Sequence, residues 1–376
     1  MSYELFRHQE SQNSSKMADS HFDIAVIGAG VAGLTCAQQL QQAGYKVVVV
    51  EKSRGLGGRL ATRRLQGTHA DHGVCYLKPK DDRFKALVEK LLERSILQVW
   101  TDTIHELDAE GQLIEPPDHA PRYASPTGIS TIAKFLATGL NIWLNQRVEA
   151  IHLIDQGWAL QFEPDERTPI TNPASLTASA IVSAIPAPQA LTLLEPVADV
   201  ETLLTRLRSI QFSACISAIA VYSPQQNESA LPWKAVTCAH DPAIGWVGLD
   251  STKQNSPSQR VVIVQSTAAF ASRHLEASDL QSIGQTLLDR AADLLAPWLK
   301  SPEILQVHRW RYAFPINPLA EKFLTANIRS PLLLTGDWCR GNRVESAFLA
   351  GLATSAQINS QLQSRSLVEN FWETIA

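Results

Sequence analysis

The sequence predicts an α/β fold: a two-domain α+β arrangement in which a Rossmann-like domain is joined to a second domain built on an antiparallel sheet. Three observations predict it. A strand–loop–helix–strand unit opens the chain at residues 24–51, a strand–turn–helix unit closes it from residue 332, and strand patterns separated by polar loops fill residues 215–267. Continuously apolar strands are typical of parallel sheets covered on both faces, whereas antiparallel strands are separated by turn residues.

Length, charge and cysteine content limit the classes of protein that remain. The 376 residues suggest roughly two domains of about 150 residues each. A net charge of −4 gives no basic excess for nucleic acid or an anionic membrane. Five cysteines without C-x-x-C spacing argue against disulfides or structural zinc, and no apolar stretch is long enough to span a bilayer. We therefore expect a cytoplasmic location.

The opening unit has the spacing of a phosphate-binding loop. Residues 24–27 form a short apolar run, a helical pattern follows from Leu34, and a second apolar run at residues 47–50 ends at Glu51. Between the first run and the helix stand Gly28, Ala29, Gly30, Val31, Ala32 and Gly33. Gly28 allows the tight turn, Gly30 lets the backbone approach a pyrophosphate, and Gly33 lets helix and strand pack closely. The helix N-terminus attracts phosphate, and Glu51 is placed to bind an adenosine ribose, so we predict a dinucleotide site.

The residues after Glu51 favour FAD over NAD. The segment continues with Lys52, Ser53, Arg54, Gly55, Leu56, Gly57, Gly58 and Arg59. Adjacent glycines allow close backbone approach, and an arginine supplies charge near a pyrophosphate or flavin. A plain NAD-binding fold does not need this extension.

The chain resembles the FAD-dependent amine-oxidase superfamily, and more closely its renalase-like branch, over about residues 22–360. The loop at residues 28–33, Glu51 and residues 57–59 carry the superfamily resemblance. The branch resemblance comes from further stretches, at residues 62–64, 71–73, 126–129, 308–313, 336–338 and 343–348. The chain departs from the branch at Val74 and Cys75, where relatives usually carry Ala-Gln. Of all the properties that the resemblance implies, the identity of the substrate depends most on this difference.

The resemblance implies non-covalent FAD and further residues that contact it. Asp71 and His72 would lie in a turn near the flavin, and the backbone of Val148 would contact adenine. At the end of the chain the resemblance assigns Gly336, Asp337, Val344, Glu345 and Ala347 to the cofactor. The last helix would point its N-terminus at the pyrimidine ring and stabilise the anionic reduced flavin. Cys339, which follows the turn, is interpreted as a small buried residue rather than an attachment point.

These assignments divide the chain into an extension and two domains. Residues 1–21 are predicted to be a disordered N-terminal extension, with Met17 as an alternative start. The FAD-binding domain would be discontinuous, with residues 22–78, 128–190 and 325–365, because its two strand–turn–helix units lie at opposite ends of the chain. Residues 79–127 and 191–324 would form the substrate domain.

No arrangement of residues specifies nucleophilic or metal chemistry, so we predict that the flavin carries the reaction and that no metal is bound. His69, Asp71 and His72 are close in sequence but lack further ligands. Hydride transfer needs a positioned donor and a dry pocket more than an acid–base pair. Aromatic side chains suited to such a pocket are Trp310, Tyr312, Trp246 and Trp338. Strand alternation places Arg309 and Arg311 opposite Trp310, as ion-pair partners or with one of them binding an anionic substrate.

Three functions remain open. The resemblance implies an oxidase of mis-reduced NAD(P), the 2- or 6-dihydro isomers, that passes hydride to FAD and then to O2, giving H2O2. A second possibility is an amine oxidase or desaturase on the same scaffold, for which Lys234 and Lys253 are weak candidates for the lysine near the flavin. A third is a protein that binds FAD without catalysis and acts through a partner. The sequence leaves the oligomeric state open.

Overall fold

The computed structural model describes residues 21–117, 119–164, 173–223 and 231–375. The predicted N-terminal extension, with Met17, lies outside the described residues except for His21, which begins the first strand. Within the described ranges, no helix is both long and apolar enough to cross a membrane.

The strands, in chain order, are β1 (His21–Ile27), β2 (Val47–Val50), β3 (Thr62–Leu65), β4 (Thr68–Asp71), β5 (Gln98–Thr101), β6 (His105–Leu107), β7 (Leu113–Ile114), β8 (Arg122–Ala124), β9 (Ile142–Trp143), β10 (Val148–Ile154), β11 (Gly157–Phe162), β12 (Ser175–Ser183), β13 (Phe212–Tyr222), β14 (Ala235–Thr237), β15 (Ile244–Leu249), β16 (Arg260–Ser266), β17 (Ile304–Pro315), β18 (Leu324–Thr325) and β19 (Leu332–Leu334). The α-helices are α1 (Val31–Gln42), α2 (Asp82–Glu93), α3 (Ser130–Leu136), α4 (Ala187–Leu194), α5 (Glu201–Arg208), α6 (Ala268–His274), α7 (Leu280–Leu294) and α8 (Val344–Gln361).

The chain forms two compact units. The first contains residues 1–58, 135–210 and 318–376, and the second contains residues 59–134 and 211–317. Both units are discontinuous in sequence, and all four internal boundaries differ from the predicted ones: 58 instead of 78, 134 instead of 127, 210 instead of 190 and 317 instead of 324. Residues 59–78 belong to the second unit because the β3–β4 hairpin packs on β16, and residues 191–210 belong to the first because α5 packs on α4. Neither contact is visible in local sequence.

The first unit is built on a sheet with the order β10-β11-β12-β1-β2-β9. Strands β12, β1, β2 and β9 run parallel, β19 joins β12 in parallel, and β10–β11 is an antiparallel hairpin. The apolar runs in β1, β2 and β19 are almost wholly buried, as strands covered on both faces must be. Both strand–turn–helix units therefore contribute to one sheet, as predicted.

Helices α1 and α8 pack closely against each other in this unit. A Cβ atom added to Gly351 would lie 2.5 Å from the carbonyl oxygen of Ala32, which is far inside van der Waals contact. Only a residue without a side chain permits this approach. Gly351 in α8 thus serves helix packing.

The second unit is built on a sheet with the order β17-β13-β16-β15-β14-β6-β7. All pairs are antiparallel except β14–β6, which confirms the antiparallel strands predicted for residues 215–267. Helices α6 and α7 cover one face with a large apolar cluster. On the other face a smaller cluster joins Ala70 of the β3–β4 hairpin to Ile219 and Ile263 of the sheet.

Candidate functional site

The glycine loop in the first unit is a tight turn between β1 and α1. Gly28 has a φ of +104°, a conformation that residues with side chains rarely adopt, and its N–H donates to the Val50 oxygen at 2.8 Å. A Cβ atom at Gly33 would lie 2.1 Å from the Gly28 oxygen, so only glycine fits there. Gly30 caps α1 without any side-chain hydrogen bond, which leaves the helix N-terminus to a ligand.

Glu51 is tied to this loop by its carboxylate. One carboxylate oxygen accepts from Ala29 N at 2.9 Å and the other from Ser53 N at 2.8 Å. The residue is 9% exposed. A carboxylate oxygen can accept more than one hydrogen bond, so Glu51 keeps capacity for ribose hydroxyl groups while it holds the loop.

The residues at the loop fit a dinucleotide pyrophosphate. A Cβ atom added to Gly30 would meet nothing within 4 Å, so open space faces the backbone beside the start of α1. Gly57 N donates to the Ala29 oxygen at 2.8 Å, and Gly58, with a φ of +56°, lies next to Gly30. Backbone thus encloses this space on two sides. Lys52, which was predicted to contact the cofactor, places its Nζ 3.3 Å from Gln189 Oε1.

The segment before Val148 also lies beside Glu51. Gln146 N donates to the Glu51 backbone oxygen at 2.9 Å, and Asn145 N donates to the Ser53 oxygen at 3.2 Å. Val148 follows as the half-buried first residue of β10. Its predicted contact with adenine remains a proposal, but the backbone brings it close to the predicted ribose ligand.

The second predicted cofactor element, after β19, belongs to the same sheet. Because β19 and β1 both pair with β12 in parallel, Gly336 and Asp337 follow a strand end on the same edge as the glycine loop. The hydroxyl oxygens of Ser183 and Thr335 are buried at this edge without a hydrogen-bond partner. Buried polar groups are normally hydrogen-bonded, so two unpaired hydroxyl groups at this edge of the sheet favour a polar ligand there.

Helix α8 begins immediately afterwards and carries the remaining predicted residues. Its N-terminal cap at Arg343 makes no side-chain hydrogen bond, and Val344, Glu345 and Ala347 form its first turn. Trp338 was considered both as a pocket wall and as a core residue, and core packing was favoured. It is 1% exposed, and its Nε1 donates to the Ile185 oxygen at 3.3 Å, so it packs in the core. Burial raises the pKa of the Cys339 thiol, which is a small buried residue as expected.

In the second unit, Asp71 is the centre of a buried polar network. One carboxylate oxygen accepts from Thr62 Oγ1 at 2.7 Å and Ile129 N at 2.8 Å, and the other lies 3.4 Å from Lys253 Nζ. Lys253 also pairs with Asp250, and all three charged side chains are at most 3% exposed. Burial raises the pKa of Asp71 to about 6 against the opposing charge of Lys253. Asp71 therefore anchors the turn that follows it.

Three side chains from the sheet hold that turn. Ser217 Oγ and Trp310 Nε1 both donate to the His72 oxygen, at 2.8 and 2.9 Å. Gln265 Nε2 donates to the Gly73 oxygen at 2.8 Å. The donors come from β13, β17 and β16, so the position of the turn depends on the register of adjacent strands. Arg59, predicted to bind cofactor, places one guanidinium N–H on the Ala313 oxygen at 2.8 Å.

An aromatic surface surrounds the turn. The rings of His72 and Trp310 stack with centroids 5.4 Å apart and an interplanar angle of 29°, and His308 meets Trp310 edge-on at 4.2 Å. Burial, with the nearby charge of Arg63, lowers the pKa of His72 to about 3 and that of His308 to about 4. Both imidazoles are therefore neutral near pH 7. With Trp310 they form an uncharged aromatic surface, in which the His72 ring stacks on Trp310 and the His308 ring stands edge-on to both.

Trp246 belongs to the same face of the sheet. Backbone pairing aligns Trp246 with Gln265, Gln265 with Ser217, and Ser217 with His308, and paired residues of an antiparallel sheet point to one face. Trp246 packs against Tyr76 with centroids 5.6 Å apart. Its Nε1 is buried without a partner.

Two predicted substrate residues take other positions. Arg311 forms a two-point ion pair with the exposed Glu276, in agreement with the interpretation as an ion-pair partner, and its role in a substrate pocket stays a prediction. It lies on the opposite face of β17 from Trp310 because successive strand residues alternate. Arg309 donates to the Leu275 oxygen on that face. Tyr312 packs edge-on against Phe212 at 5.8 Å.

Sequence reasoning missed four residues of this surface. Strand alternation predicts that His308, two positions before Trp310, lies on the same face of the strand, so this residue could have been identified from the sequence. Ser217 and Gln265 reach the turn only through the pairing of distant strands, which leaves no local signal. Arg63 was noted only as part of a motif, and nothing in its spacing indicated that it would lie near two histidines.

Comparison with known proteins identifies the family. An open parallel sheet with a glycine-rich loop at the first strand end defines a dinucleotide-binding protein. A family model described as an NAD(P)-binding Rossmann-like domain matches residues 26–91, and one described as flavin containing amine oxidoreductase matches residues 98–359. The second match covers more than half of the chain. The chain belongs to the flavin-containing amine oxidoreductase family, and its cofactor is FAD.

Individual relatives share short segments of sequence and the whole fold. The chain is 39% identical over 70 residues to an L-amino-acid oxidase of Siganus canaliculatus and 35% identical over 82 residues to flavin-containing amine oxidase A of Equus caballus. These segments are 18% and 22% of this chain but only 13% and 16% of the relatives. Cyclohexylamine oxidase from Brevibacterium oxydans is similar in structure, with a TM-score of 0.66 over 91% of this chain and 99% of that one, at 14% identity. Putrescine oxidase bound to putrescine gives 0.65 at 15% identity, over 90% and 99% of the two chains. These structures establish the fold alone.

Proposed function

We propose that this protein is an FAD-dependent oxidase of a planar reduced substrate, with the 2- or 6-dihydro isomers of NAD(P) as the substrate class. The substrate gives up a hydride and becomes NAD(P)+. Overall, the dihydro isomer, O2 and one proton yield NAD(P)+ and H2O2. FAD, when bound, would supply the two-electron redox chemistry that links the substrate to O2.

The observation that carries the proposal is the neutral aromatic surface of the second unit. The His72 and Trp310 rings are stacked, His308 stands edge-on beside them, and none of the three is charged near pH 7. Planar rings stack favourably on such a surface, by about 0.5–1.5 kcal/mol beyond the area they bury. A dihydronicotinamide ring is flat and uncharged and so fits this surface. The motif that contains Trp310 is also the one that resembles the renalase-like branch.

The cofactor would be held without a covalent bond by the first unit. Backbone N–H groups at residues 28–33 would receive the pyrophosphate, Glu51 the ribose, and the β19–α8 turn with Asp337 the flavin half. In the second unit the chain's own contribution is orientation: Ser217, Trp310 and Gln265 fix the turn at His72 and Gly73.

Amine oxidation is the second candidate, favoured by the family and by structural neighbours that are amine oxidases. The two lysines considered for a role near the flavin are both engaged, however. Lys253 is buried between Asp71 and Asp250, and Lys234 Nζ donates to the Trp100 oxygen at 2.7 Å. These contacts of the two lysines support the first candidate over amine oxidation.

Anaerobic mixing of the yellow holoenzyme with a panel of donors tests the proposal. We expect the 2- or 6-dihydro isomers to bleach the flavin absorbance within the mixing time, and simple amines and 4-dihydro NAD(P) to bleach it slowly. Rapid bleaching by an amine would replace the proposal with the second candidate. Flavin that no donor reduces would indicate a protein that binds FAD without catalysis.

A further inference from the structure

Arg63 is a half-buried cation that lacks an acceptor. Its Nε is buried without a hydrogen-bond partner, and among the described residues no oxygen forms a hydrogen bond or ion pair with its guanidinium group. A guanidinium group carries five N–H donors and remains charged at all physiological pH values. Burying the Nε donor without an acceptor is costly, so the arrangement favours a ligand that supplies one.

The surroundings of Arg63 place this cation at the aromatic surface. Arg63 pairs with Ala70 in the β3–β4 hairpin, and Ala70 packs on Ile219 and Ile263 of the large sheet. The positive charge of Arg63 acts on both His72 and His308 and contributes to the lowered pKa of each. These two rings flank Trp310. A cation with an unpaired buried N–H thus stands beside a neutral aromatic surface.

In the part of the chain that the structure describes, no carboxylate forms an ion pair with the guanidinium of Arg63. Two buried carboxylates belong to the same unit: Asp71, which precedes the turn at His72, and Asp250, which follows β15. Both form ion pairs with Lys253. His308 has no hydrogen bond to either ring nitrogen among the described residues. The cation and a neutral imidazole are therefore both available to one incoming group.

We propose that Arg63 is the residue that binds the substrate's phosphate group, so that the enzyme acts on dihydronicotinamide nucleotides and discriminates against the corresponding nucleoside. This inference rests on the proposed function and adds the residue and the chemical group that set its specificity. An arginine binds phosphate through two parallel N–H groups, which combines charge with direction. His308 is placed to add a neutral hydrogen bond to the same group.

The test compares two donors that differ only in the phosphate: the 6-dihydro isomers of nicotinamide mononucleotide and of nicotinamide riboside. Anaerobic flavin reduction is followed in wild-type holoenzyme and in the Arg63→Gln, Arg63→Lys and Arg64→Gln variants. Arg64 is the matched control, because it neighbours Arg63 on the same strand but is exposed. FAD content and thermal melting establish that each variant is folded and loaded.

We expect Arg63→Gln to raise the donor concentration for half-maximal reduction by the mononucleotide by about tenfold or more, since a charge-assisted hydrogen bond is lost. Reduction by the riboside should not change, Arg63→Lys should recover part of the loss, and Arg64→Gln should behave as wild type. An equal effect of Arg63→Gln on both donors, or no effect on either, overturns the inference. So does a loss of FAD from Arg63→Gln, which would assign the guanidinium to the cofactor.

A binding measurement separates this inference from the proposed function. Calorimetry with oxidised nicotinamide mononucleotide, nicotinamide riboside and inorganic phosphate requires no turnover. Tighter binding of the mononucleotide than of the riboside, abolished by Arg63→Gln, supports the phosphate site even if no donor reduces the flavin. Equal binding of the mononucleotide to wild type and Arg63→Gln overturns the phosphate site even if flavin reduction is fast.

Discussion

The indole Nε1 of Trp310 donates a 2.9 Å hydrogen bond to the backbone oxygen of His72, and the rings of the same two residues stack. One tryptophan therefore fixes both the backbone and the side chain of the turn that follows β4. Ser217 donates to the same oxygen from the adjacent strand. The backbone oxygen of His72 thus accepts hydrogen bonds from β17, β13 and, through Gln265 Nε2 at 3.4 Å, β16.

Replacing Trp310 with Phe removes the hydrogen bond but keeps an aromatic ring, so it should separate the effects of these two contacts. The indole N–H is lost, but Ser217 still satisfies the His72 oxygen, so we expect the free energy of unfolding to fall by only about 1 kcal/mol. The rate of flavin reduction should fall more clearly, because the turn is held less firmly. Urea unfolding and anaerobic stopped-flow absorbance measure the two effects. A loss of stability with an unchanged reduction rate would contradict the positioning role.

Two glycines of the phosphate loop should respond differently to alanine. Gly33→Ala brings a methyl group to 2.1 Å from the Gly28 oxygen, so we expect the protein to be destabilised and to lose FAD. Gly30→Ala meets nothing within 4 Å, so the apoprotein should keep its stability while FAD binding weakens. Gly55→Ala, also without a neighbour within 4 Å, is the control that should retain FAD. Melting temperature and FAD titration distinguish the three. Full FAD affinity in Gly30→Ala would argue against a pyrophosphate at this loop.

Lys253 is expected to be essential for stability. In Lys253→Met the carboxylates of Asp71 and Asp250 remain buried without their cation, which should lower the free energy of unfolding by about 3–5 kcal/mol. The control is Lys85→Met, which removes a pair between Lys85 and Asp82 whose side chains are 48% and 95% exposed, and little change is expected. Chemical denaturation compares the variants. Equal free energies of unfolding in the Lys253→Met and Lys85→Met variants would show that the buried ion pairs do not contribute to stability.

Stability should fall on acidification from neutral pH, with a contribution from His308. Its pKa is lowered to about 4, mainly by burial and then by Arg63, whereas in an unfolded chain it lies near 6.5. Between these values the unfolded chain binds a proton that the folded chain does not, so the free energy of unfolding decreases as pH falls through this window. His72, with a pKa of about 3, acts in the same direction.

His308→Gln isolates this contribution. Asp71, whose pKa is raised to about 6, acts in the opposite direction within part of the window, so the wild-type curve alone is a mixture. The loss of stability between neutral pH and the folded pKa should be smaller in His308→Gln than in wild type. Denaturation at a series of pH values gives the difference. Parallel curves would mean that His308 does not titrate as described.

Local sequence was sufficient to predict the strands, the glycine loop and the helix of the dinucleotide-binding unit. A single turn and its two strands require the Gly28–Gly33 spacing, the apolar runs around it and the carboxylate of Glu51. All of these features therefore occur within about thirty residues. The closing β19–α8 unit was identifiable for the same reason. What local sequence could not supply was the division of the chain at Gly58, because that depends on where the β3–β4 hairpin packs.

The sequence by itself determined the dinucleotide-binding class, since backbone conformation and helix ends are set by neighbouring residues. Only the tertiary structure decided the aromatic surface. The pairing of β15, β16, β13 and β17 aligns Trp246 with His308, and strand alternation turns Arg311 away toward Glu276. The physical reason is that register joins residues far apart in the chain, through burial and hydrogen bonds that no short segment contains.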